Sequence, residues 1–265
     1  MEIENLRRIG RRVYEGVKAA AVKGQGPLER GAGGDLSYPV DKLAEDIILE
    51  GLRGLGRRFH IVSEEAGIIE LEGAGEPLTI AADPVDGSKN AVAGIPFFGA
   101  SIAVGRGGLL GGLQSGYVIN LVTGDEFWAV KGRGAFLNGQ TMHCQTGPEL
   151  RLASFEASSP ARHLLRILPL LQSAAKTRCL GSIALDLALL ASGASSLFVS
   201  PGPSRSFDYA AGWLLVKEAG GVFTDMEGNG LEGEKIGFER GTPLLASANP
   251  EIHKAALKAL AGNGR

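Results

Sequence analysis

The chain has 265 residues, of which 44% are hydrophobic, and a formal net charge of -2 at neutral pH. This length predicts one large domain or two closely joined halves, and the small net charge gives no electrostatic reason to expect nucleic acid or a membrane surface as a partner. Cys144 and Cys179 are too few for a disulfide framework. No apolar run reaches the ~20 residues of a membrane span, and the first helix, which is amphipathic and contains acidic residues, is unlike a signal peptide. We therefore expect a cytoplasmic protein.

Hydrophobic periodicity predicts a chain that mixes helices with strands. Apolar residues at helical spacing predict helices over residues 2–23, 40–55, 164–175, 182–192 and 209–219. Short apolar runs predict strands over residues 59–63, 78–82, 100–104, 116–119 and 126–130. Glycine-containing steps predict hairpin turns at residues 107–108, 123–125 and 138–139. The pattern shows no internal repeat or linker, and it allows helix layers that alternate with sheets.

The segment Asp83-Pro84-Val85-Asp86-Gly87-Ser88 is the most informative motif. It follows a short apolar strand and precedes residues that can open a helix. Two carboxylates three positions apart suit a hard divalent cation such as Mg²⁺, which takes oxygen ligands and leaves room for substrate phosphate. The backbone amides of Gly87, Ser88 and Lys89 would then face an anion at a helix N-terminus. The alternative is an Asx-type turn, because Asp-Pro and Asp-Gly steps are common in loops.

Two further segments favour the metal interpretation. Glu64 and Glu65 directly follow another short apolar strand. Asp208 precedes a stretch of helical apolar spacing that ends in glycines, so it is expected at the N-cap of a helix. Carboxylates that end three separate elements are difficult to explain as solvated turns.

The order of these motifs resembles the Mg²⁺-dependent, lithium-sensitive phosphatases that include inositol monophosphatase. The resemblance rests on the segments Glu64-Glu65, Asp83–Ser88, Phe207–Ala211 and Glu218–Gly221, and on residues 123–129 and 131–139, which look like the central hairpins of that family. It covers nearly the whole chain. The resemblance implies a layered αβαβα sandwich of the sugar-phosphatase type, within the α/β (α+β) class, and a phosphoric monoester hydrolase.

The resemblance also implies a ligand set for two or three Mg²⁺ ions, which Mn²⁺ can replace. Glu64, Asp83 and the carbonyl of Val85 would hold the first ion. Asp83 would bridge to a second ion, which Asp86 and Asp208 would complete, and a weaker third site would again use Glu64. Metal ions so held activate water, neutralise the phosphoryl oxygens and stabilise the leaving alkoxide. Glu64 is therefore counted among the catalytic residues as well as the metal ligands.

Asp41 and Ser88 are the other catalytic residues that the resemblance implies. The segment from Asp35 to Asp41 resembles the family segment whose final Asp pairs with the hydroxyl residue of the metal motif to orient the attacking water. In this chain that hydroxyl belongs to Ser88, where the family pattern commonly has Thr. From the residues alone, Asp41 would be a helix N-terminal cap.

Substrate contacts are expected from Gly87, Ser88 and Lys89, from Arg178 with Ser182 in its segment, and from Arg205. Seven residues before Asp208, animal inositol monophosphatases have a Glu, but this chain has Pro201. The two arginines resemble those of archaeal members that act on fructose 1,6-bisphosphate as well as inositol phosphate. Guanidinium groups bind phosphate bidentately, so they suit a second phosphate. Surface arginines that only form salt bridges are the alternative.

The expected organisation is a single catalytic unit over residues 1–265 that is expected to form a homodimer. Its N-terminal half, about residues 1–145, carries most metal ligands, and its C-terminal half, about residues 146–265, carries Asp208 and substrate contacts. We expect fructose 1,6-bisphosphate, inositol 1-phosphate or both as substrates, and neither a nucleic acid nor a membrane as a partner.

Two alternatives stay open. A 3′-phosphoadenosine 5′-phosphate phosphatase of the same superfamily often reads Asp-Gly-Thr-Lys-Glu-Phe, where this chain shares Lys89 but has Asn90 in place of the Glu. A regulatory binding protein could keep the fold and act through a partner, as some bacterial relatives do with transcription machinery. The intact set of metal-binding carboxylates argues against a loss of catalysis, although it leaves room for a second role.

Overall fold

The computed structural model describes residues 2–34, 36–157 and 160–261. Its helices are α1 (Ile3–Ala19), α2 (Pro39–Arg53), α3 (Ser88–Ala93), α4 (Pro160–Ser173), α5 (Ile183–Ala191), α6 (Ser206–Glu218) and α7 (Pro250–Ala261), with a 3-10 turn at Leu110–Gly112. Its strands are β1 (Arg57–Ser63), β2 (Gly67–Leu71), β3 (Ala74–Asp86), β4 (Gly99–Gly105), β5 (Leu113–Asn120), β6 (Glu126–Val130), β7 (Ala135–Leu137), β8 (Gln140–Met142), β9 (Leu152–Phe155), β10 (Lys176–Arg178), β11 (Leu197–Ser200), β12 (Val222–Asp225) and β13 (Leu244–Ser247). Asp35, which opens the segment expected to end at Asp41, lies outside the described residues.

The first sheet has the strand order β2-β1-β3-β4-β5-β6-β7-β8. The strands β1 and β3 run parallel, with Phe59 opposite Leu78, while the other neighbours are antiparallel. The three predicted hairpin turns are confirmed between β4 and β5, between β5 and β6, and between β7 and β8. All strands of this sheet lie before residue 145.

The second sheet has the order β10-β9-β11-β13-β12, and its strands all lie after residue 145. The central strand β11 pairs in parallel with β9 and antiparallel with β13. The strands β9 and β10 also pair in parallel, so both end at the same edge of the sheet, next to the start of α5.

Alternation along the strands of the first sheet divides the core into two clusters. Ile80 and Ile102 belong to the cluster formed with α1 and α2, whereas Ala81 and Ala103 belong to the cluster formed with α5 and α6. Successive side chains on a strand point to opposite faces, so one sheet separates these two helix layers. The second sheet packs on the other side of α5 and α6, and α4 and α7 contact each other outside it. The predicted αβαβα layering is confirmed.

The predicted helix boundaries need correction at several ends. The helix α1 stops at Ala19 rather than near residue 23, and β3 extends well beyond the predicted residues 78–82 in both directions. The C-terminal helix α7 was not predicted at all. Asn249 Oδ1 accepts hydrogen bonds from the amides of Glu251 and Ile252, and Pro250 begins the helix. This Asn-Pro start is an ordinary helix signal that could have identified it.

Candidate active site

The end of β3 brings Asp83 and Asp86 to the same side of the first sheet. Asp83 lies opposite Ser101 of β4, but Asp86 lies opposite Gly99, so the register shifts between them. Strand residues three positions apart would normally face opposite sides. The bulge adds the extra residue that turns both carboxyl groups the same way. Val85 donates its amide to Asp83 Oδ1 at 3.1 Å, so the Asx-type turn is present and orients Asp83.

Gly87 links this strand to α3 in a conformation that requires glycine. Its φ is 92°, and a Cβ atom would lie 3.0 Å from the carbonyl oxygen of Gly181. The amides of Asn90 and Ala91 donate to the Gly87 carbonyl and begin the helix. The first-turn amides of Ser88 and Lys89 have no partner within the helix, as at any helix start.

Glu64 and Asp208 complete a set of acidic side chains around the end of β3. The Glu64 amide donates to the Ala82 carbonyl at 3.2 Å, which places Glu64 beside Asp83. The sequence predicted Asp208 as the N-cap of α6, but Asp208 is the third residue of this helix. Its Oδ2 accepts a hydrogen bond from the amide of Arg205, the true N-cap, at 3.1 Å. We call Glu64, Asp83, Asp86 and Asp208 the carboxylate cluster.

Burial and mutual repulsion disfavour the ionised form of these carboxyl groups and raise their pKa values. Burial, followed by the charge of Asp208, raises the pKa of Glu64 well above its ordinary value. Burial and then the charges of Glu64, Asp86 and Asp208 raise the pKa of Asp83 in the same direction. Burial raises the pKa of Asp86 to about 8. Such mutual repulsion is relieved when a cation binds among the carboxylates.

Asp86 is held in place by the start of α5. Its Oδ2 accepts hydrogen bonds from the Ser182 hydroxyl and from the Ala184 amide, both at 2.6 Å. Ser182 is also the N-cap of α5 and accepts a bond from the Leu185 amide. The side chain predicted to contact substrate therefore bonds to a predicted metal ligand in this structure. Since both donors address one oxygen, Oδ1 of Asp86 receives neither bond.

Asp41 occupies the third position of α2, where its Oδ2 accepts the amide hydrogen of Tyr38 at 2.7 Å. This arrangement repeats that of Asp208 on α6. Asp41 Oδ1 is buried without a hydrogen-bond partner, and burial raises the pKa of this carboxyl to about 7. The expected hydrogen bond from Ser88 is not among those formed by the described residues, although Oδ1 of Asp41 stays available as an acceptor.

Comparison with known proteins identifies the architecture. The sequence matches the inositol monophosphatase family over residues 4–264. The fructose-1,6-bisphosphatase/inositol-1-monophosphatase of Methanothermobacter thermautotrophicus is 35% identical over 242 residues, which are 88% of this chain and 86% of that protein. The Nus factor SuhB of Escherichia coli K12 is 35% identical over 230 residues, 84% of this chain and 81% of that protein. The crystal structure of the MJ0109 gene product, an inositol monophosphatase-fructose 1,6 bisphosphatase, has a TM-score of 0.83 at 26% identity and covers 98% of this chain and 100% of its own.

The chain belongs to the inositol monophosphatase family. It is accordingly a phosphoric monoester hydrolase, and the predicted family is confirmed. Members of the family are generally metal-dependent, with Mg²⁺ as the usual ion. No helix of the described ranges is long and apolar enough to cross a membrane.

The donor set of the carboxylate cluster fits a hard cation, because it consists of buried oxygen ligands with unrelieved like charge. Within residues 2–34, 36–157 and 160–261, no group of three His, Cys, Asp or Glu side chains is already placed to share one metal ion. The pKa effects nevertheless put the carboxyl groups within electrostatic range of one another. Rotation of the carboxylates about their side-chain bonds can bring them together, because the backbone that positions them is fixed by sheet and helix contacts.

The predicted substrate residues are divided between open and enclosed positions. Lys89 and Arg178 are exposed, and the guanidinium of Arg178 donates to the neighbouring Thr177 carbonyl at 2.8 Å. Ser88 is half-buried. Arg205 is enclosed, and its guanidinium donates to the Gly33 carbonyl and lies 3.6 Å from Glu64 Oε1.

Two supporting side chains were missed in the sequence. Glu45 Oε1 accepts hydrogen bonds from the Ser63 hydroxyl at 2.5 Å and from the Ala66 amide at 2.9 Å, which orients the turn that carries Glu64. It lies one helical turn after Asp41 on the buried face of α2, and an acidic residue on an apolar face was the available signal. Asn90 donates to the carbonyls of Phe97 and Leu180 and so ties α3 to the segment before α5.

The motif Glu218–Gly221 has a different role from the other motifs that carry the family resemblance. Glu218 lies at the opposite end of α6 from Asp208. Its carboxylate accepts the amides of Gly132 and Gly134, both at 2.9 Å, in the turn before β7. Glu218 therefore fixes α6 to the first sheet, and only the N-terminal end of α6 serves the site.

Proposed function

We propose that the protein hydrolyses small sugar or polyol phosphates with Mg²⁺, by attack of an activated water on phosphorus. Two or three ions would be held by Glu64, Asp83, Asp86, Asp208 and the Val85 carbonyl, and Mn²⁺ would replace Mg²⁺. The observation that supports this proposal most strongly is the carboxylate cluster itself, in which acidic groups from the turn after β1, from β3 and from α6 raise one another's pKa beside the start of α3.

The bound ions would supply Lewis-acid stabilisation of the phosphoryl oxygens and a more acidic water. The chain's own groups would position and deprotonate that water. Asp41 Oδ1 is a buried, unpartnered acceptor whose carboxyl has a pKa of about 7, so at neutral pH it can accept a proton. Ser88 would orient the same water through its hydroxyl. The amides of Gly87, Ser88 and Lys89, with the Lys89 ammonium, would hold the non-reacting phosphate oxygens.

For the substrate, we propose fructose 1,6-bisphosphate, inositol 1-phosphate or both. The support is chemical and comparative: several similar archaeal proteins carry both activities in their names, and Arg178 is an exposed cation near the start of α5. An arginine there suits a second phosphate far from the reacting one. The same role for Arg205 would require its guanidinium to leave Glu64 and Gly33, so Arg178 is the residue to test first.

The deciding experiment is a substrate panel with purified protein, run with Mg²⁺, with Mn²⁺ and with excess EDTA. We expect turnover of at least one of the two substrates with either metal and none with EDTA. Full activity in EDTA would refute the metal-dependent mechanism. Arg178→Ala should lower kcat/KM for fructose 1,6-bisphosphate by about ten- to a hundredfold more than for inositol 1-phosphate, as expected for a lost charge-assisted bond. Lys176→Ala, which removes an exposed cation from the same strand, is the matched control.

The two alternatives are tested in the same panel. Turnover of 3′-phosphoadenosine 5′-phosphate well above that of both sugar phosphates would favour that activity. The similarity to proteins named Nus factor SuhB supports a regulatory binding role as a second candidate. A pull-down with wild-type protein and with Asp83→Asn would separate the roles, since a purely regulatory partner should be retained by the inactive variant.

We also propose a cytoplasmic homodimer in which each chain is one catalytic unit with two halves that meet near residue 145. Light scattering at several protein concentrations tests the oligomeric state. A mass of one chain, 27.6 kDa, at every concentration would exclude the dimer.

A further inference from the structure

Residues Gly31–Gly34 form a strap that lies across the turn carrying Glu64 and Glu65. The Ala32 amide donates to the Glu65 carbonyl at 3.0 Å, and the Gly33 amide donates to the Glu64 carbonyl at 2.8 Å. A Cβ atom on Gly31 would lie 2.8 Å from Glu65 Oε2, and one on Gly33 would lie 3.2 Å from Glu64 Cγ. The strap can approach the two acidic residues this closely only because its residues are small.

Arg205 connects the strap to the carboxylate cluster. Its Nη2 donates to the Gly33 carbonyl, and its Nη1 lies 3.6 Å from Glu64 Oε1. The side chain is only 7% exposed, and its guanidinium carbon lies 5.7 Å from the ring centre of Phe207. Through its backbone amide, Arg205 also binds Asp208. One residue thus touches the strap and two members of the cluster.

We propose that Arg205 is a positioning residue that fixes the strap on Glu64 and, through its charge, limits how tightly the carboxylate cluster holds a divalent cation. This inference rests on the proposed function, because it assumes that the cluster binds a cation. A guanidinium and a divalent cation that share the Glu64 carboxylate repel each other, and the repulsion is strong where water is largely excluded. Coupling of this kind is reciprocal, so a change at Arg205 must alter cation affinity.

The sign of that change follows from what holds the other carboxylates. Asp83 is set by the bulge in β3, Asp86 by Ser182 and the Ala184 amide, and Asp208 by the first turn of α6. In the contacts between described residues, the side chain of Arg205 pairs with Glu64 and not with the other three carboxylates. Its removal therefore disturbs one ligand but strips the whole cluster of a neighbouring positive charge. The charge effect prevails, and the cation should bind more tightly.

Calorimetric titration of the full chain with MgCl₂, and separately with MnCl₂, measures the affinity directly. We expect Arg205→Gln to lower the Kd by at least about fivefold, within the usual range of coupling between sites. Arg205→Lys keeps the charge and should bind the cation about as wild type does. Arg58→Gln is the control, because it removes one positive charge from an exposed pair with Glu72 and leaves the site untouched.

Hydrogen exchange at the Ala32 and Gly33 amides provides the second readout. Both Arg205 variants should exchange faster than wild type, since Lys cannot reach the Gly33 carbonyl and Glu64 together as the planar fork does. A role limited to structure would instead change the cation affinity of both variants alike. The proposal therefore predicts that both variants alter hydrogen exchange in the strap but that only Arg205→Gln alters the cation affinity.

Gly33→Ala tests the same contact from the strap side and serves if Arg205→Gln does not fold. The added methyl would lie 3.2 Å from Arg205 Nη1 and should displace it from Glu64, which should also tighten cation binding. In combination with Arg205→Gln, its effect should be less than additive. Unchanged or weaker cation binding in these variants, with normal binding by wild type, overturns this inference alone. If wild-type protein binds neither Mg²⁺ nor Mn²⁺, the proposed function fails and the inference with it.

Discussion

Buried carboxylates in two regions of this molecule are compensated in opposite ways. Burial alone would raise the pKa of Glu126, but hydrogen bonds from Arg11 and Arg7 outweigh it and hold that pKa below its ordinary value. The shortest of these bonds is 2.7 Å, and the Tyr117 hydroxyl donates to the other carboxylate oxygen at 3.1 Å. At Asp83, by contrast, burial and the neighbouring carboxylates act in the same direction and raise the pKa well above its ordinary value.

The difference separates a structural carboxylate from a functional one. Glu126 fixes α1 to the first sheet, and the protein supplies the positive charge that its burial requires. Among the ion pairs of the described residues, the carboxylate cluster has that of Arg205 with Glu64, and the proposed function assigns the rest of the compensation to a cation. On the proposed function, buried acidic groups without matching protein cations are the ones expected to hold an ion, at a cost to the stability of the protein without it.

The largest effect is expected when one carboxylate-to-amide variant from each region is compared in an activity assay. Asp83→Asn removes a ligand expected to serve two ions, and several kcal/mol of transition-state stabilisation correspond to roughly a thousandfold loss of kcat/KM. Glu126→Gln likewise converts a carboxylate into an amide. It should leave kcat/KM within about threefold of wild type at a temperature where the variant is folded. Similar activities in the two variants would mean that the metal site has been assigned to the wrong carboxylates.

A smaller loss is expected from the residues that orient water. Asp41→Asn and Ser88→Ala should each lower kcat by about a hundredfold while KM changes little, because they act on the attacking water and not on the phosphate. Since the two serve one water, the double variant should be little worse than the more damaging single variant. Losses that add fully would refute the shared role, and Ser37→Ala, which changes another buried hydroxyl near the start of α2, is the control.

The two regions also differ in how far the sequence could predict them. The members of the carboxylate cluster are short motifs at the ends of elements, and local chemistry identified all of them before any tertiary contact was known. The αβαβα layering was implied by the family resemblance, whereas apolar spacing alone predicted five of the seven described helices and five of the thirteen described strands. The helix position of Asp208 was missed by three residues, because the N-cap is Arg205 and the Asp208 carboxylate accepts the amide hydrogen of that residue from the third helical position.

Contacts between distant residues could not be predicted in this way. Arg205 and Gly33 are 172 residues apart, and nothing in either segment indicates that they bond. Arg7 and Arg11 are similarly distant in sequence from Glu126, and the helical period of α1 alone cannot show which part of the first sheet lies beneath them. Tertiary packing determines which of these distant residues meet, and a single sequence does not show that packing.

The order of the two regions should reverse for the free energy of unfolding, where Glu126→Gln is expected to be the more damaging change. Glu126→Gln leaves Arg7 and Arg11 without their shared acceptor charge, and the loss of such charged hydrogen bonds should cost about 1.5–3 kcal/mol in the free energy of unfolding. Urea denaturation with unchanged m-value would measure it. The exposed pair offers the comparison: Glu50→Gln, which removes the partner of Arg12 on the surface, should cost less than about 1 kcal/mol. Equal costs would show that Glu126 gains nothing from its enclosure.

The smallest and most diagnostic effect concerns the pH dependence of stability in EDTA. The folded-state pKa of Asp86 is raised to about 8 from an ordinary value of 3.8, so the folded protein binds more protons than the unfolded chain between these values. The stability that this group contributes is therefore complete below about pH 4 and is lost as the pH rises through about 8. Glu126 has a lowered pKa, so its contribution is present at neutral pH and is lost as acid protonates the folded state.

Asp86→Asn should consequently stabilise the protein in EDTA at pH 8 by about 1 kcal/mol, or about 2–4 °C in Tm, because it removes the ionisation that burial opposes. Its Oδ1 can still accept from Ser182 and the Ala184 amide. With saturating Mg²⁺ the order should reverse, since wild-type protein then gains binding free energy that the variant lacks. Thermal melts of both proteins from pH 5.5 to 8.5, with EDTA and with Mg²⁺, measure all four curves. If Asp86→Asn is destabilised in EDTA at pH 8 as Glu126→Gln is, then Asp86 is a paired structural carboxylate, and the contrast between the two regions does not exist.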